Sequence, residues 1–296
     1  LRGRIDHIVK WWFRTRQRPD GLLEGHPEDD CEVLRRWSVT SFAAADPEIL
    51  DGIRKLVDGV WNCGQLVNGY DRKMKDVDHS SEMSADTSVI MGLDYGDPMQ
   101  FERFLQTTKV TDELHTGINP HGHRHFRTIS MSATQVAPND VDTNYHGRAM
   151  RPAAMVAWYS GIPRAVDLLH GWAKAWSEDT VKAGETKPAG IMPAIVHFDT
   201  CAVDGQGNWT AREYGDLYMW WANNSDMIAG KMMTAAALTG DDSVLDGLRA
   251  QWGLVQRHLS RLDPNAPHGS EAWAAKELLE VSHLATWYRQ ATGDTQ

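Results

Sequence analysis

The 296-residue chain is 42% hydrophobic and 24% charged, proportions that allow a large buried core. Its net charge of −10 excludes general nucleic-acid binding, which needs a basic surface. No apolar run reaches the roughly 18 residues that cross a bilayer. Cys31, Cys63 and Cys201 form no CxxC pair, so neither a disulfide framework nor a thiolate zinc site is indicated.

Arg4 to Arg16 places Ile5, Ile8, Val9, Trp12 and Phe13 on one helical face. Pro19-Asp20-Gly21 signals a turn, and the polar loop GLLEGHPEDDCE leads to a second helix predicted over Glu32 to Ala44. A short turn, Ala45-Asp46, starts a third helix with Leu50, Ile53, Val57, Val60 and Trp61 on one stripe. That turn recurs as Gly96-Asp97, Gly161-Ile162, Gly240-Asp241 and Gly293-Asp294, at intervals of 51 to 79 residues. Gly suits a helix C′ position, Asp an N-cap and Pro the first helical turn. Recurrence with this period predicts an array of helical hairpins.

Long polar connections alternate with the short turns. In an array of antiparallel helices alternate connections lie at opposite ends, so the long ones share one rim. The helix after a long loop, LYMWWANNSDMIAGKMMTAAAL, is apolar on more than one face. The one after a short turn is one-sided, with Val244, Leu248, Trp252, Val255, Leu259 and Leu262 at helical spacing. The pattern predicts an all-α fold of two concentric helix rings, an (α/α) toroid or an incomplete arc of one.

This architecture, with its "GD" turns, resembles the (α/α)-toroid carbohydrate-active enzymes, most of all the toroid polysaccharide lyases. The resemblance covers most of the chain and implies a single catalytic domain over residues 1–296, its ring cut short at one or both ends. It also implies a secreted or periplasmic enzyme.

The stretch from His115 to Arg151 departs from helical patterning: its Gly, Pro, Asn and Asp read as loop. A loop this long in a compact chain is usually functional or disordered. His121, His123 and His125 alternate, and in an extended segment their rings project to one side. Three readings fit them: a transition-metal site, a substrate cleft in which Arg124 grips a carboxylate, or a solvated loop. Further on come Asn144, Tyr145, His146 and Arg148. In toroid lyases a Tyr, often with a His, moves the proton during β-elimination from a uronate, while Asn, His or Arg neutralises the carboxylate. The resemblance thus implies Tyr145 as proton donor or base, His123 or His146 as its partner, and Arg124 and Arg148 as carboxylate clamps. The bland alternative is a loop before a helix with a packing Tyr.

Asp76, Asp78, His79 and Glu82 form an acidic cluster where a loop enters a helix, and Glu28, Asp29, Asp30 and Glu32 repeat the theme. Helix capping explains them without function. In a hydrolase, Asp30 with Asp78 or Glu82 would be the acid/base pair. His197, Asp199, Arg212 and Tyr214 are further cleft candidates, and Trp209 is a loop Trp that could stack on a sugar. His197 joins the three alternating His as a possible ligand for zinc or calcium, although the lyase reading requires no cofactor. There is no GxGxxG, P-loop, HExxH or GxSxG.

The sequence therefore points first to a lyase acting on an acidic, uronate-containing polysaccharide. A glycoside hydrolase on the same scaffold comes second, and a non-catalytic helical-repeat binding module third.

Overall fold

A computed structural model describes residues 2–294 apart from 24, 36, 39–44, 205–208 and 211–220. These residues are mostly helical, and strand is confined to two-stranded antiparallel ribbons. In chain order the helices are α1 (Arg2–Arg16), α2 (Pro27–Glu32), α3 (Pro47–Asn62), α4 (Val77–Thr87), the single turn α5 (Ile90–Leu93) and α6 (Pro98–Val110). After a ribbon-rich middle come α7 (His146–Ala149), α8 (Arg151–Ser160), α9 (Pro163–Val181), α10 (Trp221–Thr239), α11 (Asp246–His258), α12 (Glu271–Leu278) and α13 (His283–Thr292).

The recurring turns behave as their residues dictate. Asp46 caps α3 by accepting the N–H groups of Glu48 and Ile49, with Pro47 in the first turn. Asp97 caps α6 through Met99 and Gln100. Asp241 accepts the Ser243 N–H at the 3₁₀ turn that leads into α11. Gly161, Gly240 and Gly293 hold left-handed backbone, with φ of 63°, 73° and 71°, where a side chain would be strained. Asp97→Ala is expected to lower stability by about 1 kcal/mol, read as an earlier denaturation midpoint. An unchanged midpoint would mean that Pro98 and packing define the start of α6 without the cap.

Neighbouring helices pack on one another along the chain. α3 lies against α1, α2 and α4, α6 against α8, and α9 against α8, α10 and α11. α4 follows one of the long loops and is buried almost all round: Val77 and every residue from Ser80 to Thr87 are inside. Its hydroxyls are satisfied within the helix, Ser81 donating to the Val77 carbonyl and Thr87 to that of Met83. Trp172, Trp176, Phe104, Phe126 and Tyr70 are among the largest fully buried side chains.

Several sequence expectations need correction. GLLEGHPEDDCE is not all loop, because Pro27 at the first turn and three acids behind it start α2. Part of the predicted second helix lies outside the described residues. The apolar face of α1 is only half covered: Val9 and Phe13 are buried, but Ile5 and Ile8 are exposed. The middle segment is also more ordered than a loop. β1 (Leu66–Val67) and β2 (Tyr70–Asp71) close around Asn68-Gly69, both at positive φ, a pairing that favours tight hairpins. β3 (Lys75–Asp76) pairs with β6 (Ser130–Met131). β4 (Thr116–Ile118) pairs with β5 (Arg124–Phe126), placing Gly117 opposite His125. β7 (Val141–Thr143) pairs with β8 (Ile195–His197).

Candidate functional site

Two groups of titratable side chains stand out. The first is gathered on α4. Asp78, Glu82 and Asp86 are four residues apart and so stack along one helical face. Arg148 of α7 meets all three: it pairs with Asp78, lies 2.7 Å from Asp86 and 3.5 Å from Glu82. Arg35 reaches the same Asp86 at 2.9 Å and Glu32 at 2.7 Å. Arg151 stands 3.7 Å from Asp86. Arg148 is buried, whereas Arg35 and Arg151 are 35% and 32% exposed.

Burial dominates the titration of these acids. Glu82 is only 3% exposed. Loss of water, helped by the fields of Glu28, Glu32 and Asp86, raises its carboxyl to about 8 against the pull of Arg35. Asp86 is raised to about 6 by burial and stays ionised at neutral pH beside its guanidiniums. Tyr145 shares this field: burial raises its phenol to about 12, while Arg35 acts in the opposite sense. Glu82 and Tyr145 thus influence each other's titration.

The second group is built on His125, which is fully buried. Its Nδ1 lies 2.9 Å from Asp142 Oδ2 and its Nε2 3.1 Å from Asp179 Oδ2. Burial opposes its charge, but hydrogen bonds to both aspartates outweigh that and raise it to about 9. Asp142 Oδ2 also accepts the indole N–H groups of Trp172 and Trp176 at 2.8 and 3.1 Å. His123 meets Glu178 at 2.8 Å and Asp179 at 3.4 Å.

The sequence-predicted residues divide between these groups. Tyr145, Arg148, Asp78 and Glu82 belong to the α4 group. His123 and His125 belong to the second group, so the groups acting on His123 are Glu178 and Asp179, while those acting on Tyr145 are Arg35, Asp86, Glu32 and Glu82. His146 is a core ring: its Nδ1 accepts the Thr143 N–H, its Nε2 faces the Thr128 carbonyl, and Phe126 stacks on it at 4.4 Å. Asn144 is also fully buried. Arg124 lies with Asp112 at 2.9 Å, and Arg148 is 4% exposed among the acids of α4. Asp30 turns inward to accept the Leu23 N–H, and His79 sits 2.8 Å from its own helix cap Asp76. His121 is exposed and His197 half-buried. Trp209 is a core residue, fully buried, donating to the Gly269 carbonyl and packed edge-on to Trp273, so it presents no open face to a sugar. Tyr214 and Arg212 lie outside the described residues.

Sequence reasoning missed Arg35, Asp86, Asp142 and Asp179. The spacing of Asp78, Glu82 and Asp86 was a usable signal for Asp86, and Asp142 stands one helical turn before His146. Arg35 and Asp179 sit in ordinary helical sequence that marks neither.

Compared with protein-family models, curated proteins and solved structures, the chain matches none of them.

Proposed function

We propose that the chain is a toroid polysaccharide lyase that cleaves a uronate-containing polysaccharide by β-elimination at the α4 group. Glu82 is the base, Tyr145 the acid and Arg35 the partner of the uronate carboxylate. One observation carries this reading: the Tyr145 phenol and the Glu82 carboxyl share a field with the part-exposed Arg35. The helical hairpins, with their Asp-capped turns, are read as an arc of the toroid, which brings the long connections to the same end as this group.

The chemistry follows from those groups. A proton next to a carboxylate is a poor acid until the developing charge is stabilised, and a half-exposed guanidinium does that. Glu82 takes the C5 proton, the electron pair forms the C4–C5 double bond, the bond from C4 to the glycosidic oxygen breaks, and the leaving oxygen takes the Tyr145 proton. Glu82 then returns a proton to the phenolate through solvent. The overall charge is negative, but the acids here are matched: Arg148 takes Asp78 and Asp86, and Lys75 takes Glu28 and Asp71.

A hydrolase also uses a carboxyl with a raised pKa. It needs a second, free carboxylate as well, and Asp78 and Asp86 are both engaged by Arg148. The deciding experiment incubates the full chain with a panel of uronate polymers and follows ultraviolet absorbance of the unsaturated product alongside reducing ends. Both signals rising together is the expected result. Reducing ends without absorbance would replace the lyase with a hydrolase. Binding without either signal would leave a recognition module.

A further inference from the structure

The His125 group has the geometry of a metal centre. His123, His125 and Asp179 each bring one ligand atom within 4.8 Å of the others. His125 Nε2 is 3.1 Å and His123 Nδ1 is 3.4 Å from the Asp179 carboxylate. In a tetrahedral zinc site with bonds of about 2.0–2.1 Å, neighbouring ligand atoms lie about 3.3 Å apart. The observed separations, one to Oδ2 and one to Oδ1 of Asp179, are close to that edge.

The outer groups point the same way. Each ring is held from behind by a carboxylate: Asp142 on Nδ1 of His125, Glu178 at 2.8 Å on Nε2 of His123. The other nitrogen of each ring therefore faces Asp179. Among the described residues, His123 Nδ1 is buried with no hydrogen-bond partner. Asp142 is itself fixed by two indole N–H groups and the Phe126 N–H. Carboxylates behind imidazoles are how metal-binding histidines are oriented, and fixing those carboxylates in turn fixes the site. The ligands come from different elements, His125 from β5 and Asp179 from α9, so an ion here ties a ribbon to a helix. His123 is 12% exposed, which gives the ion a way in.

We propose that His123, His125 and Asp179 bind one zinc ion, oriented by Asp142 and Glu178. The site uses none of the residues assigned to the lyase chemistry and does not depend on that reading.

The test titrates the chelator-treated full chain with zinc alone, in competition with a chromophoric chelator, and records X-ray absorption of the loaded protein. One zinc per chain is expected, with nitrogen and oxygen neighbours and a melting temperature that rises on loading. His123→Ala should weaken binding by about 100-fold and Glu178→Gln by about 10- to 100-fold. Both positions reach solvent, and circular dichroism checks that the variants fold. Glu82→Gln should bind zinc as the parent does, which separates failure here from failure of the lyase assignment. No saturable binding, sulfur in the coordination shell, or full affinity in both His123→Ala and Glu178→Gln would overturn the site.

Discussion

Glu82→Gln is expected to lower kcat by about 10²- to 10⁴-fold, the usual contribution of a positioned general base, while leaving the protein folded. The amide matches the carboxyl in shape and is uncharged, as Glu82 is at and below neutral pH. The pH profile gives a sharper check. With Glu82 as base, activity rises as that carboxyl ionises near 8 and falls again as Tyr145 loses its proton near 12. Residual activity in the variant should lack the rising limb. An activity that instead falls as pH rises through 8 would make the protonated carboxyl the working form, which is hydrolase behaviour.

The same substitution has a stability signature of known sign. The folded state holds the Glu82 proton more tightly than the unfolded chain, whose carboxyl titrates near 4.5. The stability this brings is fully present below 4.5 and is lost as pH rises towards 8. Asp86 adds a loss in the same direction between 3.8 and 6. Glu82→Gln removes the larger contribution, so the variant should gain stability relative to the parent between pH 5 and pH 9, on the order of 1–3 kcal/mol. Denaturation midpoints at the two pH values measure this. A constant difference would mean that Glu82 is ionised throughout.

What the sequence disclosed follows the range of the interactions involved. Asp46, Asp97 and Asp241 act on N–H groups two or three residues away, so their capping roles were readable from spacing alone. The α4 group and the His125 group are closed by long-range contacts. Arg35 meets Asp86 across 51 residues, Arg148 meets Asp86 across 62, and His125 meets Asp179 across 54. Tyr145 and the alternating His stand out in the sequence because unusual residue types crowd one stretch. Their partners do not, since Asp179 and Arg35 look like any helical surface charge until tertiary packing turns them inward. The partners of the arginines were hidden for the same reason. A guanidinium in the sequence has no visible partner, and only the fold reveals that Arg124 meets Asp112 and Arg148 meets Asp86.

Arg148→Met should be the most destabilising substitution in the α4 group, by about 3–5 kcal/mol near pH 8, because breaking a buried ion pair leaves uncompensated charge. Arg148 is 4% exposed and faces Asp78, Glu82 and Asp86 together. Methionine fills much of the same volume, so the loss reports charge rather than a cavity. The three carboxyls can recover by taking up protons, so the penalty should shrink as pH falls from 8 to 5. Chemical denaturation at both pH values tests this. Arg148→Lys keeps the charge but has one ammonium where the guanidinium forks, and it should fall between parent and Met variant. It should also disturb Glu82: with Asp78 and Asp86 less fully engaged, their field would push the Glu82 carboxyl further up and carry the rising limb of activity to higher pH. A Met variant as stable as the parent at pH 8 would mean that α4 holds its acids protonated without help, and the ionised Asp86 that the proposed chemistry assumes would have to be abandoned.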